Sequence, residues 1–305
     1  MSRFFLFWLS FYFWGGLLAA NAQADSLFVT TTDGVRLFVK TAGTGTPLLF
    51  IHGGPGSNSF YFEKEGGSIF EKNYRVIYLD QRGCGRSTVP EDKNYSLSRV
   101  VQDFDEVRRA LGYSQWHVMA HSFGGILATE YAVQYPETIQ SMVYLNCTIS
   151  LLDTAQSVIG STIALLPELT AAEVASLQDE RVPVLNRYFD AFGKLQAHHK
   201  KYLLQFEDQK NADRDDRLMD SPFLKWDMGQ HIFSYPEYLV SFGAKTAQIP
   251  QKVLVISGTK DYAIGVDHPH LMRFPNKEVV YINGSHGLYA EHTQELYAVV
   301  RRFLR

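Results

Sequence analysis

Cysteine is scarce in this sequence of 305 residues, and neither sign of charge is in large excess. The two cysteines, Cys84 and Cys147, are too few for a disulfide scaffold, and neither has the spacing of a metal site. Lysine and arginine (29 together) nearly balance aspartate and glutamate (32), which leaves a formal charge of −3. A chain with this balance and no basic run is not expected to bind nucleic acid.

Sequence repeats are also missing, whereas apolar residues are plentiful. The chain contains no heptad stretch and no repeat of solenoid length. Hydrophobic residues make up 46% of it and aromatic residues 14%, which is enough for a sizeable core. A chain of this length can form one large α/β domain with an inserted lobe.

The first 24 residues differ in composition from the rest. Arg3 precedes an uncharged, mostly apolar run over residues 4–20, and Ala22-Gln23-Ala24 has the small-x-small pattern of a cleavage site. The run is slightly long for the core of a signal peptide and slightly short for a membrane span. We expect residues 1–24 to be a signal peptide and the body of the protein to be periplasmic or secreted. An uncleaved N-terminal membrane anchor is the alternative.

Short apolar runs bounded by turn residues predict buried strands at residues 47–53, 75–80, 116–121, 142–146, 252–258 and 278–283. These runs do not alternate between polar and apolar residues, which is typical of parallel strands covered on both faces. Residues 26–43 do alternate, on either side of Asp33-Gly34, and this pattern favours an antiparallel hairpin.

Helical patterns lie between these strands. Apolar residues recur at three- and four-residue steps in residues 96–112, residues 123–136 carry further apolar positions and end at Pro136, and residues 293–305 are amphipathic. The alternation of strand and helix predicts an α/β protein with an open, mostly parallel, doubly wound sheet.

Residues 148–250 interrupt this alternation. They contain polar, helix-like segments, among them the charged cluster DRDDR, and no clear buried strand. We expect them to form a helical cap inserted between two parts of the core, residues 25–147 and 251–305.

Ser122 follows one of the predicted strands and precedes a predicted helix. The surrounding residues read Ala120-His121-Ser122-Phe123-Gly124, a Gly-x-Ser-x-Gly pattern with alanine in the first small position. Strand, tight turn and helix are the context of a nucleophile elbow, where small neighbours are needed because strand and helix nearly touch. The alternative is an ordinary polar residue at a turn.

A serine hydroxyl needs a base, and the base needs an orienting carboxylate. Asp261 follows the next-to-last predicted strand and His286 follows the last, so both should lie near Ser122 at the carboxyl edge of the sheet. We predict the catalytic triad Ser122, Asp261 and His286. The competing candidates are Asp267 for the acid and, for the base, His268, His270 and His292.

A glycine-rich stretch after the first buried strand can supply the oxyanion hole. The residues are His52-Gly53-Gly54-Pro55-Gly56. Glycine lets the backbone approach a substrate closely, and we predict the amides of Gly54 and Phe123 as the donors.

Together with the sequence DQRGCGRS at residues 80–87, this stretch and the elbow serine resemble the prolyl aminopeptidase (proline iminopeptidase) branch of the α/β-hydrolases. The resemblance covers roughly residues 28–146 and 250–305. It implies the α/β-hydrolase fold, whose chain order is serine, acid, histidine. It also implies that residues 80–87 support the oxyanion loop and line the pocket, with Asp80 and Arg82 in structural roles.

The cap departs from the family pattern. The family binds a free N-terminal amine through acidic residues in Trp-Glu-Gly and Glu-Asn-His-Tyr contexts, and neither context occurs here. The nearest acidic and aromatic stretches offer Glu207, Asp208 and Asp227 as candidates for amine binding. The alternative for each is a solvated surface carboxylate.

These observations predict a serine hydrolase that needs no metal and no organic cofactor. The resemblance implies an aminopeptidase that releases N-terminal residues, with proline as a candidate, from short peptides. A carboxylic ester or lactone hydrolase could use the same triad, and a non-catalytic binding protein could keep the fold. A haloalkane dehalogenase or epoxide hydrolase is disfavoured, because such enzymes need aspartate at the position of Ser122. The sequence does not indicate an oligomeric state.

Overall fold

The computed structural model of the protein describes residues 25–221 and 224–305. The expected signal peptide, residues 1–24, lies outside the described residues. Within the two described ranges, no helix is long and apolar enough to cross a membrane.

The described chain forms the strands β1 (Asp25–Thr30), β2 (Arg36–Ala42), β3 (Thr46–Ile51), β4 (Tyr74–Leu79), β5 (Cys84–Gly85), β6 (Trp116–His121), β7 (Ile139–Leu145), β8 (Lys225–Trp226), β9 (Lys252–Gly258) and β10 (Lys277–Ile282). Eight of them build one sheet in the order β1-β2-β4-β3-β6-β7-β9-β10. The first two form an antiparallel hairpin, β2 is antiparallel to β4, and the other neighbours are parallel. The predicted mostly parallel α/β sheet is confirmed.

The helices are α1 (Phe60–Glu65), α2 (Leu97–Ala110), α3 (Gly124–Gln134), α4 (Leu151–Leu165), α5 (Ala171–Gln178), α6 (Val184–Ala197), α7 (Gln209–Met219), α8 (Asp227–His231), α9 (Gly243–Thr246), α10 (Leu288–Glu291) and α11 (Thr293–Phe303). The sheet is covered on both faces. Successive residues of a strand point to opposite sides, so Leu49 and Ile51 pack with residues of α2 and α3. Leu48 and Phe50 pack instead with residues of α1, α10 and α11. This double burial explains the continuous apolar runs of the sequence.

Residues 148–250, which we call the cap, lie between β7 and β9 and are mostly helical. The short strand β8 pairs with β5, opposing Trp226 to Cys84, and so joins the cap to the loop of residues 80–87. Apolar residues of α4 and α6 pack against Ala263 and Ile264, just after β9. The cap therefore sits over the edge where the parallel strands end. Cys84 and Cys147 are both buried and free.

Candidate active site

Ser122 occupies a strained turn between β6 and α3. Its φ is +56°, a left-handed conformation that costs a residue with a Cβ roughly 1–2 kcal/mol. The turn is held because Ser122 N–H donates to the Leu145 carbonyl at 3.2 Å, and the Ser122 carbonyl accepts from Thr148 N–H at 3.0 Å. A Cβ added to Gly53 would lie 2.6 Å from the Ser122 Cβ, and one added to Gly124 would lie 2.4 Å from a carbonyl of β3. The small neighbours are therefore required by contact, as expected for an elbow that exposes a serine.

Asp261 and His286 form a buried pair. The His286 Nδ1 lies 3.1 and 3.2 Å from the two carboxylate oxygens of Asp261, and both residues are about 1% exposed. Asp261 Oδ1 also accepts from the backbone amides of Ala263 at 3.1 Å and Ile264 at 2.9 Å. These contacts orient the carboxylate, so that Nδ1–H donates to it and Nε2 keeps a free lone pair. His286 and Ser122 line the same cavity.

Asn146 binds the backbone of the two loops that carry Asp261 and His286. Its Nδ2 donates to the Ser285 carbonyl at 3.0 Å and to the His286 carbonyl at 2.9 Å. Its Oδ1 accepts from Gly258 N–H at 2.7 Å, three residues before Asp261. Sequence reasoning missed this residue, since it was the last position of a predicted strand. The sequence feature that could have identified it is an asparagine at the end of an apolar run. Such a side chain is expected to be buried, and buried amides must be hydrogen-bonded.

The predicted oxyanion donors lie beside Ser122. Gly54 lines the cavity with a φ of +121°, which only glycine adopts readily. Phe123 is the N-cap residue of α3, and the first backbone amides of a helix have no partner within the helix. In the described part of the chain, neither amide donates a hydrogen bond to a protein acceptor. Both are therefore free to bind a negatively charged oxygen.

His52 ties the glycine loop to residues 80–87. Its Nδ1 donates to the Gly53 carbonyl at 3.1 Å and its Nε2 accepts from Gln81 N–H at 3.1 Å. Burial lowers the pKa of His52 to about 4, so the ring is neutral and can play both roles at once. Residues 80–87 thus support the oxyanion loop, as the resemblance implies. They are not among the described residues that line the cavity, where the resemblance also placed them.

Asp80 and Arg82 form buried ion pairs and do not line the cavity. Asp80 is buried, accepts from Ser59 and binds Arg86 through Oδ2 at 2.7 Å. Arg82 is fully buried and pairs with Asp103 at 2.7 Å.

The competing acid and bases lie elsewhere. His268 is buried and accepts from Ile149 N–H at 3.0 Å, and burial lowers its pKa to about 4. His292 lies 3.5 Å from Glu207, while His270 and Asp267 are exposed. The described residues lining the cavity include none of the four.

The cavity has a volume of about 570 Å³ and lies between the core and the cap. Its size suits a small molecule or a short peptide. The core and the cap both contribute aromatic side chains to its wall, which are Phe50, Tyr61, Phe62, Tyr188, Phe192, Tyr202, Phe206, Trp226 and Tyr289.

The acidic residues singled out from the sequence for amine binding have other partners. Glu207 pairs with Lys260 at 3.3 Å. Asp208 is exposed and caps α7 by accepting from Asn211 N–H at 2.8 Å. Asp227 pairs with Lys93 at 2.6 Å. The described residues that line the cavity include none of these three.

Two other carboxylates, Asp215 and Asp216 of α7, do line the cavity. Burial raises the pKa of Asp215 to about 7, and the charges of Asp216 and Glu65 act in the same direction, against a lowering by Arg214. The anionic form of Asp215 is therefore short of positive partners, and a cation entering the cavity would stabilise it. The two belong to the DRDDR cluster, and the spacing of Ala212, Asp215 and Asp216 (i, i+3, i+4) puts them on one helical face.

This arrangement defines the class of protein. The elbow serine, the acid–histidine pair after the last two strands and the cap belong to one fold, and the family model described as "alpha/beta hydrolase fold" matches residues 46–293. The chain belongs to the α/β-hydrolase family.

Within that family the chain is similar to proline iminopeptidases. It is 36% identical over 115 residues to the proline iminopeptidase of Lactobacillus delbrueckii subsp. bulgaricus, a match covering 35% of this chain and 39% of that one. The match thus spans about two fifths of the curated relative's length. A longer match, 28% identical over 242 residues, covers 76% of this chain and 58% of epoxide hydrolase 1 from Caenorhabditis elegans.

Among solved structures, a proline iminopeptidase-related protein from Thermus thermophilus has the same fold. It superposes with a TM-score of 0.69 at 20% identity, over 90% of this chain and 98% of that one.

Proposed function

We propose that this protein is a serine hydrolase that acts as an aminopeptidase on short peptides with a free N-terminal amine. The observation that supports the proposal is the set of residues that line one cavity. A strained serine and the histidine of a buried acid–histidine pair share it with two carboxylates of the cap.

The core residues supply the chemistry. Ser122 attacks the scissile carbonyl while His286 Nε2 takes its proton, and Asp261 stabilises the imidazolium that forms. The amides of Gly54 and Phe123 bind the oxyanion. His286 then gives the proton to the leaving amine, and water, activated by the same nitrogen, hydrolyses the acyl-enzyme. Each step uses groups of this chain and water, so the proposal calls for no metal and no organic cofactor.

The cap residues supply the recognition. An α-ammonium group that is desolvated between the core and the cap needs a carboxylate, because an unpaired buried charge costs several kcal/mol. Asp215 and Asp216 offer two carboxylates, and the aromatic wall suits a small apolar ring such as that of proline.

A panel of arylamides tests this function. Prolyl, alanyl and other aminoacyl arylamides are compared with the N-acetylated form of the best substrate. The free amine should be cleaved at least about a hundredfold faster, since a charge pair of about 2.7 kcal/mol is lost on acetylation. Equal rates on both forms would remove the aminopeptidase function and leave a general serine hydrolase.

An ester or lactone hydrolase is the second candidate. It is favoured by the aromatic wall, and by the raised pKa of Asp215, since a protonated carboxyl would accept a neutral substrate. Short p-nitrophenyl esters in the same panel identify it: they would then be cleaved faster than any aminoacyl arylamide.

We further propose that the enzyme works outside the cytoplasm, on the basis of the leader-like residues 1–24. N-terminal sequencing of the protein from its native host should then begin at Asp25. A sequence that begins at Met1 or Ser2 would contradict cleavage.

A further inference from the structure

A short cap segment contacts the loops that carry both Asp261 and His286. We call residues 205–211 the docking segment. Its first carbonyl, that of Gln205, accepts from Gly287 N–H at 2.7 Å, directly after His286. Its Glu207 pairs with Lys260 at 3.3 Å, directly before Asp261. The segment therefore lies against both loops at once.

Glu291 forms the centre of this contact. Its Oε1 accepts from the Glu207 backbone N–H at 2.9 Å and from Asn211 Nδ2 at 2.7 Å, both in the docking segment. Its Oε2 lies 2.5 Å from the hydroxyl of Ser285, the residue before His286. One carboxylate thus joins the cap to the histidine loop.

The close approach is built into the backbone as well. The Ser285 hydroxyl lies 2.8 Å from the Gln205 carbonyl, and a Cβ added to Gly287 would come within 2.9 Å of that carbonyl and 2.8 Å of the Phe206 ring. Glycine after the histidine is therefore required for the segment to dock.

We propose that Glu291 is a positioning residue that sets the catalytic histidine in register with the cap. The proposal rests on the function proposed above, in which His286 is the base. The docking segment runs directly into α7, which carries Asp215 and Asp216. Glu291 therefore fixes the distance between the carboxylates that hold the substrate amine and the imidazole that moves the proton.

His286 is also held by three residues of the core. Asn146 and His121 bind its carbonyl, at 2.9 and 3.2 Å, and Asp261 binds its ring. Loss of Glu291 should leave these contacts and the Gln205 bond to Gly287 in place, so that the histidine loop loses part of its restraint from the cap and keeps its fold. A partial fall in activity is expected, since a displacement of about 1 Å at a catalytic group can cost about a hundredfold.

The test uses the full chain and the variants Glu291→Ala and Glu291→Gln. Glutamine can replace each contact: its oxygen accepts from Glu207 and Asn211, and its NH₂ donates to Ser285, whose proton turns to Gln205. Glu295→Ala is the matched control, because Glu295 is exposed on the neighbouring helix α11.

Two rates are measured well below the unfolding temperature. One is the second-order rate of Ser122 modification by a small fluorophosphonate, which reports the serine–histidine geometry without the cap. The other is kcat/KM on a prolyl arylamide. Glu291→Ala should lower both rates by about tenfold, whereas Glu291→Gln and Glu295→Ala should stay within about 1.5-fold of wild type.

A purely structural role would lower the unfolding midpoint of Glu291→Ala and leave both rates unchanged, and that result would overturn the proposal. If Glu291→Ala does not fold, Asn211→Ala removes one contact from the cap side and should lower the arylamide kcat/KM by about threefold. No change in that variant would overturn the proposal as well. A wild-type protein that the fluorophosphonate does not modify would instead refute the serine hydrolase function itself.

Discussion

Asp261→Asn replaces one carboxylate oxygen of the buried pair with an NH₂ group, and the structure determines how the new amide must lie. Asp261 Oδ1 accepts from two backbone amides, those of Ala263 and Ile264. Because an NH₂ group cannot accept these bonds, the asparagine oxygen must take the Oδ1 position and its NH₂ the Oδ2 position. That NH₂ then lies 3.2 Å from His286 Nδ1, and the asparagine oxygen lies 3.1 Å from the same nitrogen.

The amide would force the histidine into the wrong tautomer. Because that oxygen already accepts from two backbone amides, the group left to bond with Nδ1 is the NH₂ donor, so Nδ1 accepts and the proton of the neutral ring moves to Nε2. An Nε2 that carries a proton cannot take one from Ser122. In serine hydrolases built on this triad the corresponding change lowers kcat roughly ten thousandfold. That is a loss of about 5.4 kcal/mol, at about 1.36 kcal/mol per tenfold.

The assay is steady-state hydrolysis of the best substrate of the panel, with Asp267→Asn as the matched control. Asp267 is exposed, precedes a short turn of 3₁₀-helix and lies outside the cavity lining, so its variant should keep kcat within about twofold of wild type. A kcat for Asp261→Asn above about a tenth of wild type, or the two effects reversed, would show that Asp261 is not the acid of the triad.

Further substitutions test the elbow and the cap. Ser122→Ala should lower kcat by at least about three orders of magnitude, and a residual activity above about a tenth of wild type would exclude Ser122 as the nucleophile. Ser122→Gly should be more stable to denaturant than Ser122→Ala by about 1 kcal/mol, since glycine adopts a φ of +56° without strain; equal stability would argue against strain at the elbow. Asp216→Asn should narrow the rate difference between free and acetylated arylamides about threefold without slowing ester hydrolysis, and an unchanged difference would remove Asp216 from amine binding. Burial raises the pKa of Asp215 to about 7, so a rise from about pH 6 to about pH 8 ionises it and should strengthen inhibition by pyrrolidine, which stays protonated throughout. Asp215→Asn should remove that trend, and the same trend in both proteins would assign it to another group.

The core and its site could be predicted because their signals are local. Each buried strand is a short apolar run, and polar residues at the ends of parallel strands must meet at one edge of the sheet. Ser122, Asp261 and His286 needed only their places after three strands. Whether these residues carry the catalysis stays a prediction, but their placement required no knowledge of long-range packing.

The cap could not be predicted at the same level. Several of its helices are polar over much of their surface, so a charged residue there has the same sequence signature whether it faces solvent or a cavity. Glu207 and Asp227 stand next to aromatic residues, Phe206 and Trp226, that do line the cavity. Their own side chains turn to Lys260 and Lys93 instead. Adjacent side chains of a turn or helix point in different directions, so an aromatic neighbour in the sequence did not show that the carboxylate lines the cavity.

The separation between core and cap has a consequence for how specificity is set. The proposed nucleophile, acid and base lie on loops that follow strands of the sheet, and Asn146 joins the loops of Asp261 and His286. Asp215 and Asp216, which line the same cavity as Ser122 and His286, both lie on α7. In the proposal above, the position of α7 depends on the docking segment and on Glu291. Substitutions at Asp215 or Asp216 should therefore change which substrates are accepted while the rate of Ser122 modification by a fluorophosphonate stays the same. Substitution of Glu291 should change both the substrate preference and the rate of Ser122 modification, because its carboxylate binds Asn211 of α7 and Ser285 of the histidine loop.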